Sequence, residues 1–363
     1  MNPLCRFATA ALVALLLTSL VLPNAHAVTI NWVTVGDPGN TADTTTYGAV
    51  TDAFQIMKYE WTNSQYTDFL NAVDPSGTNP NSVYKAEMGS NARGGISFTS
   101  GAASGSKYAV KTNMGDKPVT FVSWFDAARV ANWLQNGQGS GSTETGAYTL
   151  VGGQTSGTAP AANPGASYLL PTEDQWYKAA YYKGGGTNAG YWDYATQSDS
   201  DPTAVTADST GIGSAGSTGN FANYNRRADW GSPLQDGNVT TVGTNGGASA
   251  YGAFDMSGNI FEWNDLDGTT GSSRGLRCGS WFSFAFYLSS SFRDTFAPSY
   301  EDNNIGFRLA SPVAVPEPST LAMLAAGLGC SGYGFIRRRR LHRSGPNISP
   351  RPQISRRRSA GHR

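Results

Sequence analysis

The sequence predicts a single loop-rich α+β domain of short helices and short strands, preceded by an export leader and followed by a basic tail. Three observations predict it. Gly is abundant (44 residues) and charged residues make up only 14%, against about a quarter in an average soluble domain. Nine Trp and 17 Tyr point to a packed interior rather than disorder. Three capping boxes, each opening a short run of helical spacing, cut the chain into short elements. The 363 residues leave room for one large domain or two ordinary ones.

Residues 1–27 read as a secretory signal peptide, with Arg6 in the positive n-region and Ala10 to Leu22 as the apolar core. Ala25-His26-Ala27 supplies the small-x-small cleavage site. A retained membrane anchor is the alternative, and the short apolar span disfavours it. Val28 to Val33 alternates as a strand does, and Phe54 to Tyr59 reads as a second strand leading into a helix. That helix opens at the box Thr62-Asn63-Ser64-Gln65 and continues through Tyr66, Phe69, Leu70 and Val73. Residues 74–117 are a polar connection. Pro118 to Trp124 reads as a strand running into a second helix, capped by Ser123 with Asp126 and lined by Ala127, Ala128, Ala131, Trp133 and Leu134.

The third box opens at Thr172, ahead of Trp176, Ala179 and Ala180, and Gly184 to Gly186 can end that helix. Glu173 lies in its first turn. A carboxylate there complements the helix dipole, which accounts for it more simply than an acid–base role does. Residues 186–250 form a Gly/Ser/Thr/Asp/Asn tract too long for an ordinary loop. It is either an insertion or irregular chain held by metal and aromatic contacts.

The formal net charge of zero hides an asymmetry. Residues 337–363 hold ten Arg and no acid, whereas residues 28–316 hold 15 Lys and Arg against 25 Asp and Glu. An acidic body argues against nucleic acid as its partner and suits hard cations. Cys5 lies in the leader and Cys330 in the apolar C-terminal segment, so Cys278 is the one thiol of the body and no disulfide can form within it. The three His fall in the leader and the tail, which excludes Ser-His-Asp, Cys-His and His-ligated zinc or iron chemistry from this domain.

The run Gly252-Ala253-Phe254-Asp255-Met256-Ser257-Gly258-Asn259-Ile260-Phe261-Glu262-Trp263 mixes acids, glycines and large apolar groups. It is followed by Arg277-Cys278-Gly279-Ser280-Trp281 and then Ile305-Gly306-Phe307-Arg308. In order and spacing the three resemble the closing portion of the formylglycine-generating, or sulfatase-modifying factor, family, which writes Arg-Gly-Gly-Ser-Trp at the second. Tyr59 to Asn63, Pro118 to Ala127 and Leu169 to Ala180 are similar to earlier signatures of that family. Leu169 stands where Arg is usual, and Lys178 falls near a usual acid. The resemblance implies a formylglycine-generating-enzyme-type, C-type-lectin-related fold over residues 28–311, with its core from about residue 50.

Pro316-Glu317-Pro318, the apolar span 319–336 and Arg337 to Arg340 resemble the bacterial PEP-CTERM sorting signal, placed here at residues 312–340. The resemblance implies recognition by an exosortase, with the span in the membrane before processing; a permanent anchor predicts the same topology. Residues 341–363 read as a basic disordered extension. The expected location is the bacterial cell envelope, cell surface or extracellular matrix.

The resemblance also assigns sites. The family's copper-binding cysteine pair falls on Ser283 and Leu288, neither of which can supply a soft thiolate ligand, so copper is not expected. The three-histidine arrangement of ergothioneine-type relatives is also missing. A first calcium set carries over to the Asp255 and Glu262 carboxylates with the Gly258 and Ile260 carbonyls. A second carries over to Asn223, Asp236 and the Tyr224 and Asn238 carbonyls. Hard oxygen donors of this kind suit Ca²⁺, in a structural role. The alternative for the first set is a metal-free turn in which Asp255 and Glu262 pair Arg274, Arg277 or Arg308. Cys278, Ser283 and Arg293 are cleft candidates, and Arg293 with Asp294 reads more simply as a supporting ion pair.

Two functions of different class follow as expectations. One is a non-catalytic, calcium-stabilised surface module that binds an extracellular glycan or protein, or serves the matrix architecturally. The other is an oxidase of the formylglycine-generating type with a non-standard metal site.

Overall fold

The structure is a computed structural model and describes residues 27–312. The signal peptide before Ala27, the sorting signal and the basic tail lie outside the described residues. Strand β1 (Trp32–Val35) pairs antiparallel with β2 (Phe54–Met57), from which the chain enters helix α1 (Asn63–Val73). A one-turn helix α2 (Glu87–Ser90) and a hairpin of β3 (Ile96–Phe98) and β4 (Tyr108–Val110) follow. Next come α3 (Trp124–Gln135) and α4 (Glu173–Tyr181).

The irregular tract contributes only the two-residue strands β5 (Thr203–Ala204) and β6 (Phe221–Ala222), which pair in parallel. Strands β7 (Phe261–Asn264), β8 (Arg274–Arg277), β9 (Asp294–Phe296) and β10 (Ile305–Gly306) make a four-stranded sheet in the order β10-β7-β8-β9. The last strand, β11 (Ala310–Pro312), returns to β2 and completes a sheet with β1.

All three capping boxes form. Thr62, Ser123 and Thr172 each accept from the backbone N–H three residues on, and the Gln65, Asp126 and Gln175 side chains bond back to the cap. Each reciprocal pair satisfies two backbone donors that a helix start leaves orphaned. Helices α1 and α3 bury Tyr66, Phe69, Trp124 and Trp133 in one cluster, and α4 buries Trp176, Tyr177 and Tyr181 in a second, behind Phe54 and Ile56 of β2.

Several expectations are corrected. The first strand begins at Trp32 rather than Val28. Pro118 to Val122 is not a strand: Thr62 and Pro118 form an isolated bridge, and the left-handed backbone of Phe121 (φ 61°) then turns the chain so that its N–H meets the Asp302 carbonyl. Helix α4 stops at Tyr181, with an extended Tyr182 as its cap, so Gly184 to Gly186 turn the chain only after the helix has ended. The polar connection after α1 hides α2 and the β3-β4 hairpin.

Candidate functional site

Three left-handed residues, Asp255 (φ 56°), Gly258 (φ 93°) and Asn259 (φ 66°), fold the run before β7 into a tight turn. A Cβ on Gly258 would lie 2.4 Å from the Asn223 carbonyl oxygen, so only glycine fits this approach to the irregular tract. Asn259 stitches the two segments together. Its N–H donates to the Asn223 carbonyl and its amide to Glu60, while its side-chain oxygen accepts from Asn223 and Thr240. Asp255 accepts from the Asn245 amide (2.9 Å) and from the Gly243 N–H.

Glu262 on β7 points into the protein and meets Arg308. Arg308 Nε and Nη2 each lie 2.6 Å from one of its oxygens, Trp176 Nε1 donates to it at 2.7 Å, and neither charged side chain is exposed. Glu60, also fully buried, has one oxygen on Asn259 and the other without a partner. Burial first, then the charges of Asp255 and Glu262, push its pKa well above the usual carboxylate range. Three buried carboxylates thus share the field of one guanidinium.

Cys278 follows β8 and packs under the turn. Its backbone is left-handed (φ 93°), its carbonyl accepts from the Gly258 N–H, and its thiol donates to the Gly258 (3.0 Å) and Asp255 (3.1 Å) carbonyls. Burial, then Glu262 and Glu60, push the thiol pKa well above its ordinary value, so it is held as S–H.

The chain then crosses the loop 279–293. Ser283 Oγ accepts from the Ser280 N–H, and both side chains are buried. Leu288 ends a 3-10 turn (Ala285–Leu288) and is fully buried in a cluster with Tyr194 and Ala222. From Phe282 to Tyr287 the aromatic side chains face outward: Phe282 is 47%, Phe284 68%, Phe286 62% and Tyr287 38% exposed. Arg226 lies 4.0 Å above the Phe282 ring and Arg93 4.4 Å above that of Trp281. Beside this ridge Arg93, Arg226, Trp281, Phe282 and Asn303 line a groove of 390 Å³.

Arg293 pairs with Glu173 rather than with Asp294, which instead caps Thr295. Glu173 takes two guanidinium groups, with Arg277 Nε at 2.8 Å and Arg293 Nη2 at 2.8 Å, and Tyr47 packs against both cations. The acid at the start of α4 is therefore a cross-link to β8 and the loop. Arg274, a third candidate partner for the turn, pairs Asp265.

A family model described as the sulfatase-modifying factor enzyme 1-like domain matches residues 32–313. The chain belongs to the sulfatase-modifying factor family. A PEP-CTERM protein-sorting motif matches residues 314–340, which marks the chain for exosortase-mediated sorting and export to the bacterial cell surface. Similar solved structures include Treponema denticola variable protein 1, at 20% identity over 79% of this chain and 97% of that one (TM-score 0.44). CarF is similar at 24% identity over 78% and 99% (TM-score 0.46), and PvdO from Pseudomonas aeruginosa at 17% over 79% and 93% (TM-score 0.38). No curated protein matches the chain.

The donors around the loop do not fit the family's copper ion. Leu288 has no donor atom, the Ser283 hydroxyl is tied to Ser280, and the single thiol is protonated and held by carbonyls. For the first calcium set, Arg308 already supplies Glu262 with a cation and Cys278 Sγ lies 3.0 Å from the Gly258 carbonyl, so the set in this arrangement does not fit an ion either. The upstream set comes nearer. Asn223 keeps a buried side-chain oxygen without a partner. Its amide meets the Asn238 carbonyl, while Asp236 stands 73% exposed beside Arg226. The Tyr224 carbonyl receives the Arg227 N–H.

Sequence reasoning missed Glu60, whose motif reads equally well as the approach to a helix. It also missed the outward phenylalanines. Their signal was the run Phe282-Ser283-Phe284-Ala285-Phe286-Tyr287, four rings within six residues on a segment with no periodicity to bury them.

Proposed function

We propose that this exported member of the sulfatase-modifying factor family is a non-catalytic surface module that binds an extracellular glycan or protein through the loop 282–287. The observation that carries this reading is the outward ridge of Phe282, Phe284, Phe286 and Tyr287, on the loop where the family's catalytic cysteines belong. Phe286 and Tyr287 pack edge-on against Phe292, yet folding gains little from rings this exposed, and exposed aromatic groups rimmed by polar ones mark a recognition surface. The arginines stacked on Trp281 and Phe282, Arg226 being paired with Asp236, give the ridge a rim of both charges, and Asp236 and Asp302 join them in the polar wall of the adjoining groove. A calcium ion at Asn223, the Tyr224 and Asn238 carbonyls and Asp236 would tie the irregular tract beneath this surface, and the unpartnered Asn223 oxygen supports it.

Glycan and peptide arrays probed with the exported protein, with and without chelator, test the reading. Binding that disappears in the Phe284→Ala/Phe286→Ala variant is expected. Array signals indifferent to that variant would refute it, as would copper-dependent conversion of a cysteine-containing peptide to its formylglycine form.

A further inference from the structure

We infer that the Cys278 side chain replaces the calcium ion at the first set, so that the turn 255–262 closes on a thiol and an ion pair instead of a metal. Where the family motif writes glycine, this chain places a cysteine in the left-handed region (φ 93°). A side chain there is strained and persists only where its surroundings hold it. What holds it is the turn itself. The thiol donates to the Gly258 carbonyl at 3.0 Å and to the Asp255 carbonyl at 3.1 Å.

The Gly258 oxygen is one of the four donors assigned to the ion, and calcium would need to approach it to about 2.3–2.6 Å. A sulfur in van der Waals contact with the same oxygen closes that approach. The two carboxylates of the set have partners of their own, Arg308 and Trp176 on Glu262, Asn245 and Gly243 on Asp255, but each keeps a lone pair free, so the thiol is what bars the ion. The cationic charge a metal would bring to Glu262 is supplied by Arg308, and the bridging contact between the turn and β8 is supplied by the thiol. The result is a clamp that chelators cannot open.

Calcium counted per chain by atomic emission, after dialysis of the exported protein from millimolar calcium, tests this. The unaltered chain is expected to hold at most one ion, assigned to the upstream set and lost in Asp236→Asn. Cys278→Gly is expected to hold one ion more than the unaltered chain and to melt at a temperature that falls on chelation. Two ions in the unaltered chain, or one that survives Asp236→Asn, would overturn the inference. So would a Cys278→Gly chain that folds and gains no calcium. The count on the unaltered chain stands independently of how the glycine variant folds. The inference shares the proposed module as its setting, yet the tests separate: array binding can fail while the ion count holds, and the reverse.

Discussion

Arg308 closes on Glu262 through two hydrogen bonds of 2.6 Å, with neither side chain reaching water. The same guanidinium also donates to the Met57 and Phe254 carbonyls, so it joins β7, β2 and the run that leads into the turn. Removing one partner of a buried pair strands the other charge, at about 3–5 kcal/mol. Glu60 and Asp255, whose pKa values burial already raises, lose the field of the same cation. Arg308→Met is therefore expected to lower the denaturation midpoint severely. Arg308→Met combined with Glu262→Gln should recover part of the loss, as chemical denaturation of the three variants would show.

The two arginines on Glu173 should differ in weight. Arg277 and Glu173 are both buried, whereas Arg293 remains 37% exposed. Arg277→Ala is expected to cost about 3 kcal/mol or more, because it leaves a buried carboxylate under-compensated and frees the Ser290 and Phe292 carbonyls. Arg293→Ala is expected to cost about 1 kcal/mol or less, in the range of solvent-screened pairs. Equal losses in urea titrations would contradict this ranking.

Gly258→Ala tests the tie between the turn and the irregular tract. An added Cβ would sit 2.4 Å from the Asn223 oxygen, on a residue with φ 93°. Backbone on both sides must shift, so the loss should exceed the roughly 1 kcal/mol of a left-handed alanine alone. Hydrogen exchange is expected to rise at Asn259, whose N–H bonds Asn223.

Acidity should stabilise α3. Burial, then Glu301, pushes Asp126 up to about 7. The folded state thus holds its proton at pH values where the unfolded chain has released it. The stabilisation is complete below the unfolded pKa of about 3.9 and is lost as pH rises through about 7. Asp126→Asn keeps an acceptor for the Ser123 cap and removes the titration. Its unfolding free energy is expected to fall less steeply than that of the unaltered chain between pH 5 and pH 8.

How much of this was legible in the sequence follows from distance along the chain. The helix starts at Thr62, Ser123 and Thr172 are settled within four residues, and they form as read. Glu173 with Arg277 joins residues far apart, and such pairings carry no local signal; for Glu262 three arginines were open in the sequence, and only packing selects Arg308 among them. The β3-β4 hairpin escaped notice because Ile96 to Phe98 and Tyr108 to Val110 are three-residue runs among Gly, Ser and Asn. Pro118 to Val122 looked like a strand by composition, but no neighbour offers it a ladder beyond the bridge at Thr62. At the site, that Cys278 is the one thiol between residues 28 and 312 was plain from the sequence. That the loop 282–287 turns its phenylalanines outward needed the structure, since a buried Leu288 fixes which side faces in.

The ridge is the most direct point of attack. Phe284 and Phe286 are mostly exposed, and Phe286 meets the Tyr287 and Phe292 rings at the surface, so their replacement by alanine should lower the melting temperature by no more than a few degrees. At a binding centre, aromatic truncation costs about 1–2 kcal/mol or more per residue. Isothermal titration of the strongest array ligand into the unaltered protein and the Phe284→Ala/Phe286→Ala variant should show affinity at least about tenfold weaker in the variant. Equal affinities, with both proteins folded, would contradict the assignment of this loop as the binding surface.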